Sequence, residues 1–68
     1  MSYVELNDKY NSIIDTRGIR SIGVHSISGN YHYIEIHYSN KEGTWSYEYK
    51  NTETLYEDRD RIKEKLGF

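Results

Sequence analysis

The sequence predicts an α+β fold: a small antiparallel sheet, a β-meander of three or more strands, packed against a C-terminal helix. Three observations carry that expectation. Between Ile19 and Lys50 apolar residues recur with period two, as they do along a pleated strand. After Lys50 the spacing becomes helical, at Leu55, Ile62 and Leu66. A chain of 68 residues has room for one domain, residues 1–68, with a thin core.

The amino-terminal segment reads in two ways. "YVEL" and "SIID" form a hairpin around "NDKYN", because Asn and Asp favour turns and the two Ile are β-branched. Alternatively Leu6, Tyr10, Ile13 and Ile14 share a helical stripe, with Ser2 and Glu5 as a capping box and Gly18 as its end. The hairpin is preferred, and both readings bury Leu6 and Ile13.

Three strands follow. In "IRSIGVHSI" the apolar set is Ile22 and Val24, continued by Ser26. In "YHYIEIHY" it is Ile34, Ile36 and Tyr38, and in "TWSYEYK" it is Trp45, Tyr47 and Tyr49. Residues paired across a ladder share a face, so bringing these sets together requires an odd first loop and an even second one. The three residues of "SGN" or "GNY" satisfy the first, and the four of "NKEG", with Gly43 left-handed, satisfy the second.

The last element, within "NTETLYEDRDRIKEKLGF", reads as a helix. Thr54 and Glu57 have the spacing of a capping box, Glu57 and Arg61 form a favourable pair, and Gly67 suits the left-handed cap with Phe68 folding back on Ile62. Asp58 and Asp60 lie two apart, point to different sides and read as a solvated face.

Two resemblances follow from this order of elements. With a helical amino terminus the chain resembles a double-stranded-RNA-binding domain in topology. That family begins its second helix with lysines, whereas "NTETLYEDRD" carries Glu53, Glu57, Asp58 and Asp60, so no RNA-binding residues are carried over. With a hairpin there, the chain resembles the small meander-plus-helix proteins of phages and prophages. Over residues 19–62 it is also similar to the KTSR domain, through "GTWSYEYKN", where Tyr47 and Tyr49 follow a glycine turn and precede a helix. That resemblance implies a domain for which RNA binding has been suggested.

Composition narrows the function. Zero Cys excludes disulfides and thiolate metal sites and suits a reducing compartment. The acidic start "MSYVEL" and the lack of a ~20-residue apolar run predict a soluble, cytoplasmic protein without a targeting or membrane segment. A net charge of −2 gives no general attraction to phosphates. No serine elbow, phosphate loop or Cys/His pair is present, so no enzyme and no cofactor are expected. His25, His32 and His37, with Glu35, are the candidate metal ligands. His32 and His37 have opposite parity, His25 and His37 would be diagonal neighbours, and no metal site is expected.

What stands out is eight Tyr and one Trp against a single Phe. If the helix covers Ile34, Ile36 and Trp45, the opposite face carries Tyr31, Tyr33 and His37, with His25, beside Glu35, Ser46, Glu48 and Lys50. The expected function is that of a protein-binding module, of a phage-type accessory or inhibitory kind, using Tyr31, Tyr33 and His37 or the acidic helix at Glu57 and Asp58. The alternative is single-stranded RNA binding, with bases stacked on Tyr31 and Tyr33 and phosphates met by Arg17, Arg20 and Lys50. A homodimer is a third expectation, since a thin core and an exposed strand edge both favour pairing.

Overall fold

The computed structural model describes residues 3–27, 29 and 31–67. Its order is β1 (Tyr3–Glu5), β2 (Ile13–Asp15), β3 (Ile19–Ile27), β4 (Tyr31–Tyr38), β5 (Trp45–Tyr49) and α1 (Thr52–Leu66). β1 and β2 form an antiparallel hairpin, and β3-β4-β5 form an antiparallel sheet in sequence order. The α+β architecture expected from the periodicity is therefore present, with the helix packed on one face of the three-stranded sheet.

The amino-terminal segment is the hairpin, and its turn explains why. The Asp8 carboxylate accepts hydrogen bonds from both the backbone N–H and the hydroxyl of Ser12, each at 2.7 Å, and Asn11 adopts a left-handed φ of 51° that Asn tolerates. Val4 pairs with Ile14, and both are buried with Leu6. The expectation that Ile13 is buried is corrected: it is 67 % exposed, because the hairpin register turns Ile14 inward instead.

In the sheet, Ile22 opposes Ile36 and Val24 opposes Ile34, while Ile34 opposes Tyr47. The three apolar sets thus share one face. Ile27 pairs with Tyr31, so three residues connect β3 and β4, although Ser28 and Asn30 of that loop lie outside the described residues. The second connection has the expected even parity but is longer than "NKEG". Its last pair is Ile36 with Trp45, while on the other side the Ser39 amide extends the contact with the start of β3 by donating to the Gly18 carbonyl at 2.7 Å. An irregularity between Ile19 and Ser21 sets one extra residue into β3, so that Ile19 opposes Tyr38 and joins the core side.

The helix begins one turn earlier than the Thr54 capping box predicts. Asn51 is the N-cap, its side chain accepting from the Thr54 amide at 2.9 Å. Gly67 closes the other end with φ 85°, as expected, and Phe68 lies outside the described residues. Leu55 and Ile62 are fully buried against Ile34, Ile36 and Tyr49, while the hairpin adds Val4, Leu6 and Ile14. Burying an aliphatic side chain of this size is worth about 1.5–3 kcal/mol. Tyrosine serves this core well because its ring is buried while its hydroxyl finds a partner. Tyr38, for example, donates to the Asp15 carbonyl at 2.7 Å and so ties the hairpin to the sheet. Trp45 has the predicted facing but remains 45 % exposed, with the Lys41 ammonium 5.7 Å from its ring.

Candidate functional site

The helix packs on only one face of the sheet, and pairing fixes what stands on the other. On β3 these are Ser21, Gly23, His25 and Ile27; opposite them on β4 are His37, Glu35, Tyr33 and Tyr31. Ser46 and Glu48 of β5 continue the Glu35 and Tyr33 rows. Three of the site residues expected from the sequence, Tyr31, Tyr33 and His37, thus share this outer face.

Its aromatic groups are contiguous. The His25 ring stacks on Tyr33 with centroids 4.8 Å apart and planes 13° from parallel, and Tyr31 lies tilted against Tyr33 at 5.1 Å. Ile27, 52 % exposed, pairs with Tyr31, itself 43 % exposed, and extends the patch toward the β3–β4 loop. Ring stacking of this kind contributes about 0.5–1.5 kcal/mol beyond area burial and holds the rings in one orientation.

Beside the rings lies a small polar cluster. His37 Nε2 is 2.8 Å from Glu35 Oε1, and His25 Nε2 is 3.6 Å from Glu35 Oε2. The carboxylate can only accept, so His37 donates through Nε2 in this contact. Gly23 makes room for the arrangement. A Cβ there would stand 3.3 Å from His25 Nε2, so the end of the ring would have to give by a few tenths of an ångström. His32 is on the opposite face, buried, with Nδ1 2.7 Å from the Ser26 hydroxyl. The three histidines do not converge, and no group of three or more His, Asp or Glu side chains among the described residues is arranged to hold a metal ion.

One rim of the face is closed by the hairpin. Lys9 Nζ lies 2.6 Å from a Glu48 carboxylate oxygen, and the Lys9 amide donates to the Glu48 carbonyl at 2.9 Å. The Glu48 contact raises the Lys9 pKa above its ordinary value.

The two helical residues expected at the site do not join this face. Glu57 is exposed on α1, which covers the other side of the sheet. Asp58 corrects the expectation of a solvated acid: it is fully buried. Its Oδ2 accepts from the Asn7 amide at 2.6 Å and the Tyr49 hydroxyl at 2.7 Å, and its Oδ1 accepts from Arg61 Nη1 at 2.9 Å. The signal was its spacing, since residues 55, 58 and 62 occupy one helical stripe. Burial, then the hydrogen bond to Asp58, pushes the Tyr49 hydroxyl far above the usual tyrosine range. Asp60 is also engaged, 3.0 Å from Arg59. Arg17 is held by Asp15 at 2.8 Å, and its guanidinium brings the Asp15 carboxyl down to about 2.

No protein-family model, curated protein or solved structure matches the chain. No described helix is long and apolar enough to cross a membrane.

Proposed function

We propose that this chain is a non-enzymatic protein-binding module that engages a larger partner through the outer face of its sheet. The observation that carries this reading is the contiguous patch of Ile27, Tyr31, Tyr33 and His25 on a face that no described element covers. Tyrosines pre-oriented by stacking offer wide contact area at low entropic cost, which suits the centre of an interface. Glu35 stands on the same face and the chain carries a charge of −2, so the complementary partner surface is basic. The cysteine-free composition suits a cytoplasmic site of action.

Charge also ranks the base-stacking alternative lower. Glu35 and the net charge of −2 repel phosphates, and Arg17 is already occupied by Asp15. The acidic helix is a poorer docking surface than its composition suggests, because Asp58 is buried and Asp60 is paired.

The test compares capture from a lysate of the source organism by the unmodified chain, by Tyr31→Ala/Tyr33→Ala and by Glu57→Lys, with circular dichroism confirming that each is folded. A partner held by the unmodified chain and by Glu57→Lys should be lost from the double tyrosine variant, since truncating a central anchor costs about 2 kcal/mol or more, roughly 30-fold in affinity. Retention by the folded tyrosine variant would refute the assignment. So would micromolar single-stranded RNA binding that weakens steeply with salt and disappears in that variant.

A further inference from the structure

We propose that two copies of this chain pair antiparallel through the free edge of β3, about a two-fold axis at Gly23, to form one six-stranded sheet. The inference stands on the edge and flank of β3 and does not depend on what the outer face binds.

The two edges of the sheet differ. β5 is crossed by the hairpin, whose Lys9 amide bonds the Glu48 carbonyl. β3 pairs with β4 on one side, and among the described residues no strand pairs with its other side. At nine residues β3 is also the longest strand. Edge strands are ordinarily protected by Pro, by lysines, by shortness or by bulges, and the one bulge of β3 lies at its start, before Ser21. "IRSIGVHSI" has no Pro and no Lys, and only Arg20 carries a permanent charge.

A second copy is the occupant because the strand complements itself. With Gly23 on the axis, Ile22 of each copy meets Val24 of the other on the core side, and Ser21 meets His25 on the outer side. The regular ladder ends there, because the extra residue at Arg20 puts Ile19 on the core side while Ile27 lies on the outer face, and no like charges are opposed. Ile22 and Val24 pack against the core yet are only partly buried where they stand, so the joined sheet would cover apolar surface that one copy leaves open. The pairing would also place two His25/Tyr33/Tyr31 patches on one continuous face. A strand-to-strand contact of this length falls at the small end of interface sizes, so the dimer is concentration-dependent, with a dissociation constant on the order of 100 µM.

The chain contains no cysteine, which makes cross-linking a direct test. Residues paired across an antiparallel ladder have Cα atoms about 4.5–5.5 Å apart, within disulfide reach. Gly23→Cys is therefore expected to form an intermolecular disulfide on mild oxidation. Its new side chain meets only the far end of the His25 ring. Ser21→Cys, whose copies lie roughly 13 Å apart in this register, should not cross-link. Sedimentation equilibrium of the unmodified chain should show a reversible monomer–dimer equilibrium. A monomer up to about 1 mM would overturn the proposal whatever the variants do, and equal cross-linking of both cysteine variants would overturn the register.

Discussion

Replacing Asp58 by Ala removes the acceptor that joins the hairpin, the sheet and the helix. Two donors that bond Oδ2 lose their partner, the fully buried Tyr49 hydroxyl and the half-buried Asn7 backbone N–H. Each stranded donor costs about 1–3 kcal/mol. The Arg61 side chain is 46 % exposed and re-enters water, so it adds little. The sum is about 2–5 kcal/mol, since the half-buried Asn7 backbone N–H can regain water in part. A chain of this length has a total stability of about 3–10 kcal/mol, so Asp58→Ala should leave it marginally folded. Asp58→Asn is the discriminating companion. An amide oxygen placed where Oδ2 stands keeps both bonds, while the contacts of Oδ1 with Arg61 and with the Asn7 side-chain amide turn unfavourable, for about 1–2 kcal/mol. Thermal denaturation followed by circular dichroism converts each kcal/mol into about 4–8 °C in a domain this small. Equal melting points for the two variants, or a loss below about 1 kcal/mol for Asp58→Ala, would refute the view that this carboxylate holds the fold together.

Two predictions concern pH. Tyr38, Tyr47 and Tyr49 all have raised pKa values, chiefly through burial, so above pH ~10 the unfolded chain ionises while the folded one does not. Their contribution is full below that pH and is lost as pH rises; alkaline melts should show Tyr49→Phe less sensitive than the unmodified chain. Asp15 behaves in the opposite sense: with its carboxyl held at about 2 beside Arg17, its contribution is full above pH ~3.9 and fades as pH falls toward 2. Carboxyl NMR should find that low titration, and Arg17→Ala should raise it only part of the way, because the residue-17 backbone N–H still donates to the carboxylate.

Strand faces were legible because they depend on parity alone. Ile22, Ile34 and Tyr47 had to share a side once the loop lengths were odd and then even, and a two-residue difference in the second register left that result intact. The outer-face grouping of Tyr31, Tyr33 and His37 came from the same rule. Choices between adjacent residues were harder. Ile13 and Ile14 have the same chemistry, and only the hairpin register decides which is covered. Asn51 and Thr54 both suit a helix start, and the Thr54–Glu57 spacing favoured the wrong one. Asp58 was misread for a different reason. An acid on an apolar stripe makes sense only with its partners in place, and Asn7 is 51 residues away.

That separation has a consequence for the order of events in folding. Two three-residue strands have little stability alone, and the seat that fixes the hairpin includes a carboxylate near the far end of the chain. The sheet can form from neighbouring strands with short connections, and so can the helix, but the hairpin has nowhere to settle until residue 58 has joined them. It is therefore expected to be the last piece to arrive and the first to leave, and native-state hydrogen exchange should find the Leu6 and Lys9 amides, which bond Ser12 and Glu48, less protected than those between β3 and β4.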